Sequence, residues 1–238
     1  MTAAYGACTV EELFLPMLRR WTSMCRERGR RILVFLSAPP GVGKTTLAQT
    51  MEYLSQTEPG LAPLQAVGLD GFHYHADYIA SHTAMIDGRE VPMKQVKGAP
   101  ETYDIEKLLR TLENMRTQDV RWPIYDRNLH DVVEDAVEVT AGIVLVEGNW
   151  LLSTEGAWAN VAEMCDDSIF IEACPDDVRD RLIARKIRGG LSPKDAEEFY
   201  ERSDRANILR LMANHRKAGE TWVMTADGAF VCRAGETR

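Results

Sequence analysis

The run Ser37-Ala-Pro-Pro-Gly-Val-Gly-Lys-Thr-Thr46 sets two glycines beside a lysine and two hydroxyl side chains. Triphosphate oxygens need several donors converging on a small volume. Backbone N–H groups of a tight turn supply them, and Gly41 and Gly43 let the chain approach without a Cβ clash. A helix opening near Lys44 adds its unpaired N–H groups and the positive end of its dipole. Lys44 offers a point charge to the β- and γ-phosphates, and the Thr45 hydroxyl can ligate magnesium. Pro40, Gly41, Val42, Gly43, Lys44, Thr45 and Thr46 are therefore the expected nucleotide-binding set. The strict pattern has glycine where Ala38 stands. Alanine is the next smallest residue, so a slightly altered loop is expected rather than an inactive one.

Two acids stand where strands end. Asp70 follows the apolar run Gln65–Leu69 and precedes Gly71, Phe72, His73 and Tyr74. Near a triphosphate it either takes the proton of an acceptor hydroxyl or holds magnesium through water. Glu147 ends the apolar strand Ile143–Val146, the usual position of an acid that holds a magnesium-bound water. Thr45 and Glu147 are thus the expected metal-side pair. A third cluster is basic: Arg179-Asp-Arg-Leu-Ile-Ala-Arg-Lys-Ile-Arg-Gly-Gly190. Arg181, Arg185 and Arg188 have near-helical spacing, and Gly189-Gly190 offers a hinge. A mobile lid of this kind can neutralise charge on a transferring phosphoryl group and exclude water. The segment Trp122-Pro-Ile-Tyr-Asp-Arg-Asn-Leu-His130 adds Tyr125, Asp126 and His130 as groups able to hydrogen-bond or stack on an acceptor. Trp122 reads as core.

The elements that must position these groups can be read from periodicity. Thr9-Val-Glu-Glu12 predicts a capping box opening a helix to about Arg28. Arg31–Ser37 predicts a buried strand, Lys44–Gln56 a helix, and Gln65–Leu69 a second strand. Asp87-Gly88 predicts a hairpin turn in a flap over about residues 75–100. Ile105, Leu108, Leu109 and Leu112 share one face of a helix over Asp104–Arg116. Val120–Tyr125 and Ala136–Val139 read as edge strands, and Ser168–Ile171 as a buried one. Ser192-Pro193 starts a helix that runs to about His215, and Trp222–Met224 closes the sheet. Apolar strands alternating with helices predict a three-layer α/β fold, a mostly parallel sheet flanked by helices. Its site should lie beyond the C-terminal strand ends.

With 238 residues, one domain spanning 1–238 is expected, carrying the flap and a lid at about 179–192. The formal net charge of −8 argues against nucleic acid or an anionic membrane as partner. The 5 scattered cysteines indicate neither a disulfide framework nor a zinc site. Without a signal-like or membrane-spanning apolar run, a cytoplasmic protein is expected. A homodimer is admitted, though no residue specifies it.

In order along the chain, Ala38–Thr46, Asp70-Gly-Phe-His-Tyr74, Gly98-Ala-Pro-Glu-Thr-Tyr-Asp104, Pro123-Ile-Tyr-Asp126 with His130, Val146-Glu-Gly148 and the Arg-rich lid resemble one group. It is the P-loop kinases of uridine kinase, phosphoribulokinase and type I pantothenate kinase. Within it, the chain is most similar to bacterial nucleoside/nucleotide kinase-like, or fructose-transport-system kinase-like, proteins. The resemblance implies a P-loop NTPase fold and an ATP- and magnesium-dependent kinase acting on a hydroxyl of a sugar, nucleoside or pantothenate-like alcohol. It implies Lys44, Asp70 and Arg185 as catalytic groups, with Arg181 and Arg188 also at the nucleotide. Asp70, His73, Tyr74, Tyr125 and His130 would meet the acceptor. The lid departs from uridine kinase in having Lys186, not an acid, after Arg185. The rival expectation is a nucleotide-hydrolysing regulator with no small-molecule acceptor. The guanine-binding N-K-x-D and switch D-x-x-G patterns expected of such a GTPase are not found.

Overall fold

A computed structural model describes residues 5–86, 88–225 and 227–233. Every second residue of β1 (Ile32–Ser37) faces the opposite side of the sheet, and all six are buried. Ile32, Val34 and Leu36 enter one apolar cluster, while Leu33 and Phe35 enter the other. A strand apolar on both faces belongs in the middle of a parallel sheet covered twice, and β1 lies there.

The chain opens with α1 (Ala7–Thr9), a π-helical turn (Val10–Phe14) and α2 (Leu15–Arg28). After β1 come α3 (Lys44–Thr57), β2 (Leu64–Gly68), a 3₁₀ turn (Leu69–Phe72) and α4 (Ala76–Ser81). β3 (Thr83–Ile86), β4 (Arg89–Pro92), α5 (Ile105–Met115), β5 (Val120–Asp126), β6 (Asp131–Val139) and β7 (Ile143–Gly148) follow. Then come α6 (Trp158–Ala162), β8 (Asp167–Glu172), α7 (Pro175–Arg188), α8 (Pro193–Phe199), α9 (Arg205–Ala213), β9 (Glu220–Met224) and β10 (Phe230–Cys232). The main sheet has the order β10-β9-β8-β1-β7-β2, parallel except for β10. Helices cover both faces, as expected for a three-layer P-loop NTPase fold.

Four expectations change in detail. Thr9 is helical and caps nothing; the helix begins at Ala7 and widens into the π turn just before Pro16. Pro16 has no N–H to donate, and a widened turn accommodates that loss. β5 and β6 are not edges of the main sheet. They pair with each other as an antiparallel hairpin, with a register shift between Trp122 and Ile124 around Pro123. The helix after Pro193 is interrupted by a π-helical turn at Tyr200–Asp204 and stops at Ala213. The antiparallel β10 was not anticipated. Of the expected flap hairpin, β3 pairs with β4 and Gly88 has φ 74°, while Asp87 lies outside the described residues.

The β5–β6 hairpin docks directly on the turn that carries Asp70. Trp122 Nε1 donates to the Gly68 carbonyl at 2.8 Å, and its ring meets Phe72 edge-on at 4.7 Å. A Cβ on Gly71 would lie 2.0 Å from the Pro123 carbonyl oxygen. The contact is backbone against backbone, so no side chain can rotate away. Gly71→Ala is therefore expected to push the hairpin off the Asp70 turn and to destabilise the fold by about 3 kcal/mol. Denaturant unfolding measures this, and a change below about 0.5 kcal/mol would mean that the docking is looser than drawn.

Candidate active site

The loop between β1 and α3 curls around the Lys44 side chain. Gly41 and Gly43 have φ 87° and 93°, conformations that L side chains rarely adopt. Gly41 is constrained a second time, because an added Cβ would stand 3.1 Å from Val178 Cβ and from Leu182 Cγ of α7. The first half of α7 is thereby packed on the loop, while its basic second half projects to Gly189. Ala38 is fully buried where the strict pattern has glycine, and its carbonyl is put to use.

Lys44 is buried, and its Nζ donates to the carbonyls of Ala38 at 3.1 Å and Pro39 at 3.0 Å, and to Asn149 Oδ1 at 2.7 Å. Asn149 is held in turn by its backbone oxygen, which accepts from Ser37 Oγ at 2.6 Å. Burial pushes the Lys44 ammonium down to about 8; the carboxylates of Glu147 and Asp70 oppose this and the Arg185 charge adds to it. Lys44 is thus charged below pH 8 and loses its proton as pH rises through that value. An anionic triphosphate would pull the proton back. Above pH 8, nucleotide binding is therefore expected to take up a proton and to weaken by up to about tenfold per pH unit. Calorimetry of a non-hydrolysable ATP analogue, in buffers of different ionisation enthalpy at pH 7 and 9, reads this directly. Equal proton uptake at both pH values would remove Lys44 as the titrating group.

Thr45 Oγ1 donates to Glu147 Oε1 at 2.6 Å. Burial pushes the Glu147 carboxyl above its usual range, with Lys44 opposing. A hydroxyl and a carboxylate, both hard oxygen donors, meet beside the phosphate loop, which suits magnesium. Among the described residues, no three His, Cys, Asp or Glu side chains cluster to form a fuller metal cage. Two protein oxygens match an ion that keeps waters and phosphates as its remaining ligands.

Asp70 sits in the 3₁₀ turn beyond β2, exposed to solvent. Behind it Tyr103 is buried and directs its hydroxyl to Asp70 Oδ1 at 3.4 Å. His73 stacks on the Tyr103 ring at 3.8 Å, and its Nδ1 lies 3.1 Å from the Thr102 carbonyl. Burial pushes the His73 imidazole below its ordinary value, favouring the neutral ring. Tyr125 lies edge-on to His73 at 6.1 Å, and Lys97 Nζ donates to the Tyr125 hydroxyl at 2.6 Å. Asp70, His73 and Tyr125 therefore come together, next to Tyr103 and Lys97.

The other residues singled out divide. Tyr74 stacks on Tyr78 at 4.4 Å, which in turn stacks on His82 at 3.6 Å. These rings and His73 line a cleft of about 730 Å³ shared with Lys107 and Glu134. His130 is exposed in the β5–β6 turn with φ 56°. Arg185 is half-buried, and its charge acts on Lys44 and Asp70. Arg181 lies against Met224 Sδ at 3.6 Å, and a Cβ on Gly228 would touch its guanidinium, so it borders the β9–β10 turn. Arg188 is exposed at the end of α7. Lys186 is anchored: its Nζ lies 3.5 Å from Asp204 Oδ2 and 3.5 Å from the Phe199 ring centre. Asn149, Tyr103 and Lys97 were missed as site residues. Tyr103 was visible in the Gly98–Asp104 run, but no role attached to it. Asn149 and Lys97 carried no local signal.

No family model matches the chain. The uncharacterized protein YggC of Escherichia coli is 45% identical over 229 residues, covering 96% of this chain and 93% of YggC. A protein of Schizosaccharomyces pombe, provisionally named a uridine kinase, is 27% identical over 189 residues, covering 76% of this chain and 77% of its own length. A crystal structure from Silicibacter sp., provisionally described as a fructose transport system kinase, superimposes with a TM-score of 0.72 at 29% identity. It covers 84% of this chain and 98% of that one.

Proposed function

Because the chain belongs to the P-loop kinase superfamily of uridine kinase, phosphoribulokinase and type I pantothenate kinase, and is a kinase, we propose that it moves the γ-phosphoryl group of ATP to a hydroxyl of a small metabolite, with magnesium. The observation that carries this reading is the exposed Asp70 carboxylate, facing the same charged mouth as Lys44, Glu147 and Arg185. An alcohol acceptor needs a group that receives or orients its proton and an open side from which to arrive, and the exposed Asp70 offers both.

The loop amides, Lys44 and the start of α3 hold the triphosphate. Thr45 and Glu147 would hold magnesium, which supplies neutralising charge at the phosphate oxygens. Asp70 accepts the proton of the acceptor hydroxyl or orients it. Tyr103, donating to Asp70, fixes the carboxylate so that its other oxygen is free for the alcohol. Lys44 and Arg185 stabilise negative charge on the transferring group.

The test is ADP formation with purified protein and magnesium ATP, with and without a panel of sugars, nucleosides, hydroxy acids and sugar monophosphates. Strong stimulation by one hydroxyl compound, with a phosphorylated product, is expected. Equal slow hydrolysis with every compound would sink the reading.

A further inference from the structure

An ammonium has three N–H donors and no acceptor. Those of Lys44 go to the Ala38 and Pro39 carbonyls and to Asn149 Oδ1, so all three are taken by neutral oxygens. Buried charges are ordinarily paired with an opposite charge. Among the described residues, no carboxylate lies within ion-pair distance of this buried lysine, although Glu147 is bonded to the neighbouring Thr45. The two carbonyls belong to the backbone of the phosphate loop and move only with it. The third oxygen belongs to a side chain from outside the loop, one that can let go without disturbing the loop. Three contacts fix where that side chain starts. The Asn149 backbone oxygen accepts from Ser37 Oγ at 2.6 Å, at the end of β1. Gly148 before it is wedged against the Asp70 turn, since an added Cβ would lie 2.4 Å from Leu69 Cβ. Trp150 after it is buried, and its Nε1 donates to the Gly98 carbonyl at 2.9 Å.

A triphosphate that is to receive an N–H from Lys44 must take it from one of these three oxygens. We propose that Asn149 is a positioning residue: it holds the Lys44 ammonium with a neutral oxygen and yields it to the phosphates of the nucleotide. The proposal rests on the kinase reading above and adds to it a residue outside the phosphate loop. A carboxylate here would neutralise Lys44 in an ion pair that the triphosphate has to break. A side chain with no acceptor would leave one buried N–H unpartnered until the phosphates arrive. Asparagine aims the ammonium and leaves its charge uncompensated, and a phosphate oxygen replaces the amide because its hydrogen bond to an ammonium is charged on both sides.

Two near-isosteric variants test this by calorimetry with magnesium and a non-hydrolysable ATP analogue, at pH 6.5 where the ammonium is charged. Asn149→Asp is expected to bind the analogue at least about tenfold more weakly than wild type. Asn149→Leu is expected to bind it within about threefold of wild type, or more tightly, because only the nucleotide then supplies the missing acceptor. A role confined to packing predicts losses of the same sign in both. The contact with Lys44 is read separately by denaturant unfolding. Asn149→Leu is expected to lower the folded-to-unfolded ratio about tenfold in wild type, and less than about threefold where Lys44 is already methionine. Binding more than about threefold weaker in Asn149→Leu, less than about tenfold weaker in Asn149→Asp, or a stability loss independent of Lys44 overturns the proposal. Each of these leaves nucleotide binding by the wild type, and the kinase reading, standing. No binding of the analogue by folded wild type removes the kinase reading, and the proposal with it.

Discussion

Asp70→Asn is expected to cut kcat by roughly 10²–10⁴-fold while the protein stays folded. The substitution is isosteric at an exposed position, so no packing is lost. Tyr103 keeps an acceptor for its hydroxyl in the amide oxygen, so the surrounding ring stack of Tyr103 and His73 persists. What disappears is the charge and the capacity to take a proton. Single-turnover transfer to the true acceptor isolates this step from binding. A magnesium titration separates the two possible roles of Asp70. If the carboxylate works through a metal-bound water, raised magnesium recovers much of the rate; if it serves as base or orienter, it does not. Near-normal turnover in the variant would falsify the assignment of Asp70 to the proton-transfer step.

The second large effect is that of Lys44→Met, which is expected to lower kcat/KM for ATP by 10³-fold or more and yet not to weaken the fold near neutral pH. The wild-type ammonium is buried against two carbonyls and Asn149, and burial holds it down to about 8. Its folded-state value lies below its ordinary value of 10.5, so between the two the unfolded chain binds the extra proton. Stability from this group is therefore lowest below pH 8 and rises as pH climbs toward 10.5, by about 3 kcal/mol in all. Methionine removes both the desolvated charge and that slope. Denaturant unfolding of wild type and variant at pH 7 and 10 measures the difference. A variant with the same pH dependence as wild type would show that Lys44 is not the group that bears the cost. An activity lost without a loss of stability is the mark of a side chain placed for a ligand rather than for the fold.

The phosphate loop was legible because its chemistry is local. Two glycines, a lysine and a threonine within a few residues dictate both the backbone shape and the ligand, and the structure reproduces the positive φ values at Gly41 and Gly43. Glu147 and Asp70 were legible through a weaker rule, that acids at the ends of parallel strands face the site. The β5–β6 hairpin was misplaced because both its strands read as half-buried edges. Only the backbone contact between Pro123 and Gly71 shows that it docks on the Asp70 turn. Tyr74 and His130 were chosen for their chemistry and their neighbours in sequence. In a loop, adjacent side chains point in different directions: His73 stacks on Tyr103 and Tyr74 on Tyr78. The basic segment reads as a lid hinged at Gly189-Gly190; packing adds that the first half of its helix, through Val178 and Leu182, lies against Gly41.

By itself the sequence determined the fold class and the kind of reaction and marked the residues proposed for the donor half of the site, because each follows from short-range pattern: strand periodicity, loop backbone geometry and a few charged residues at fixed spacing. The tertiary structure decided which side chains share the acceptor side. Tyr103 behind Asp70, Lys97 on Tyr125 and Asn149 on Lys44 join segments far apart in the chain. Their meeting depends on how β2, β7 and the β5–β6 hairpin pack, and a long-range contact set by packing leaves no mark in the spacing of neighbouring residues.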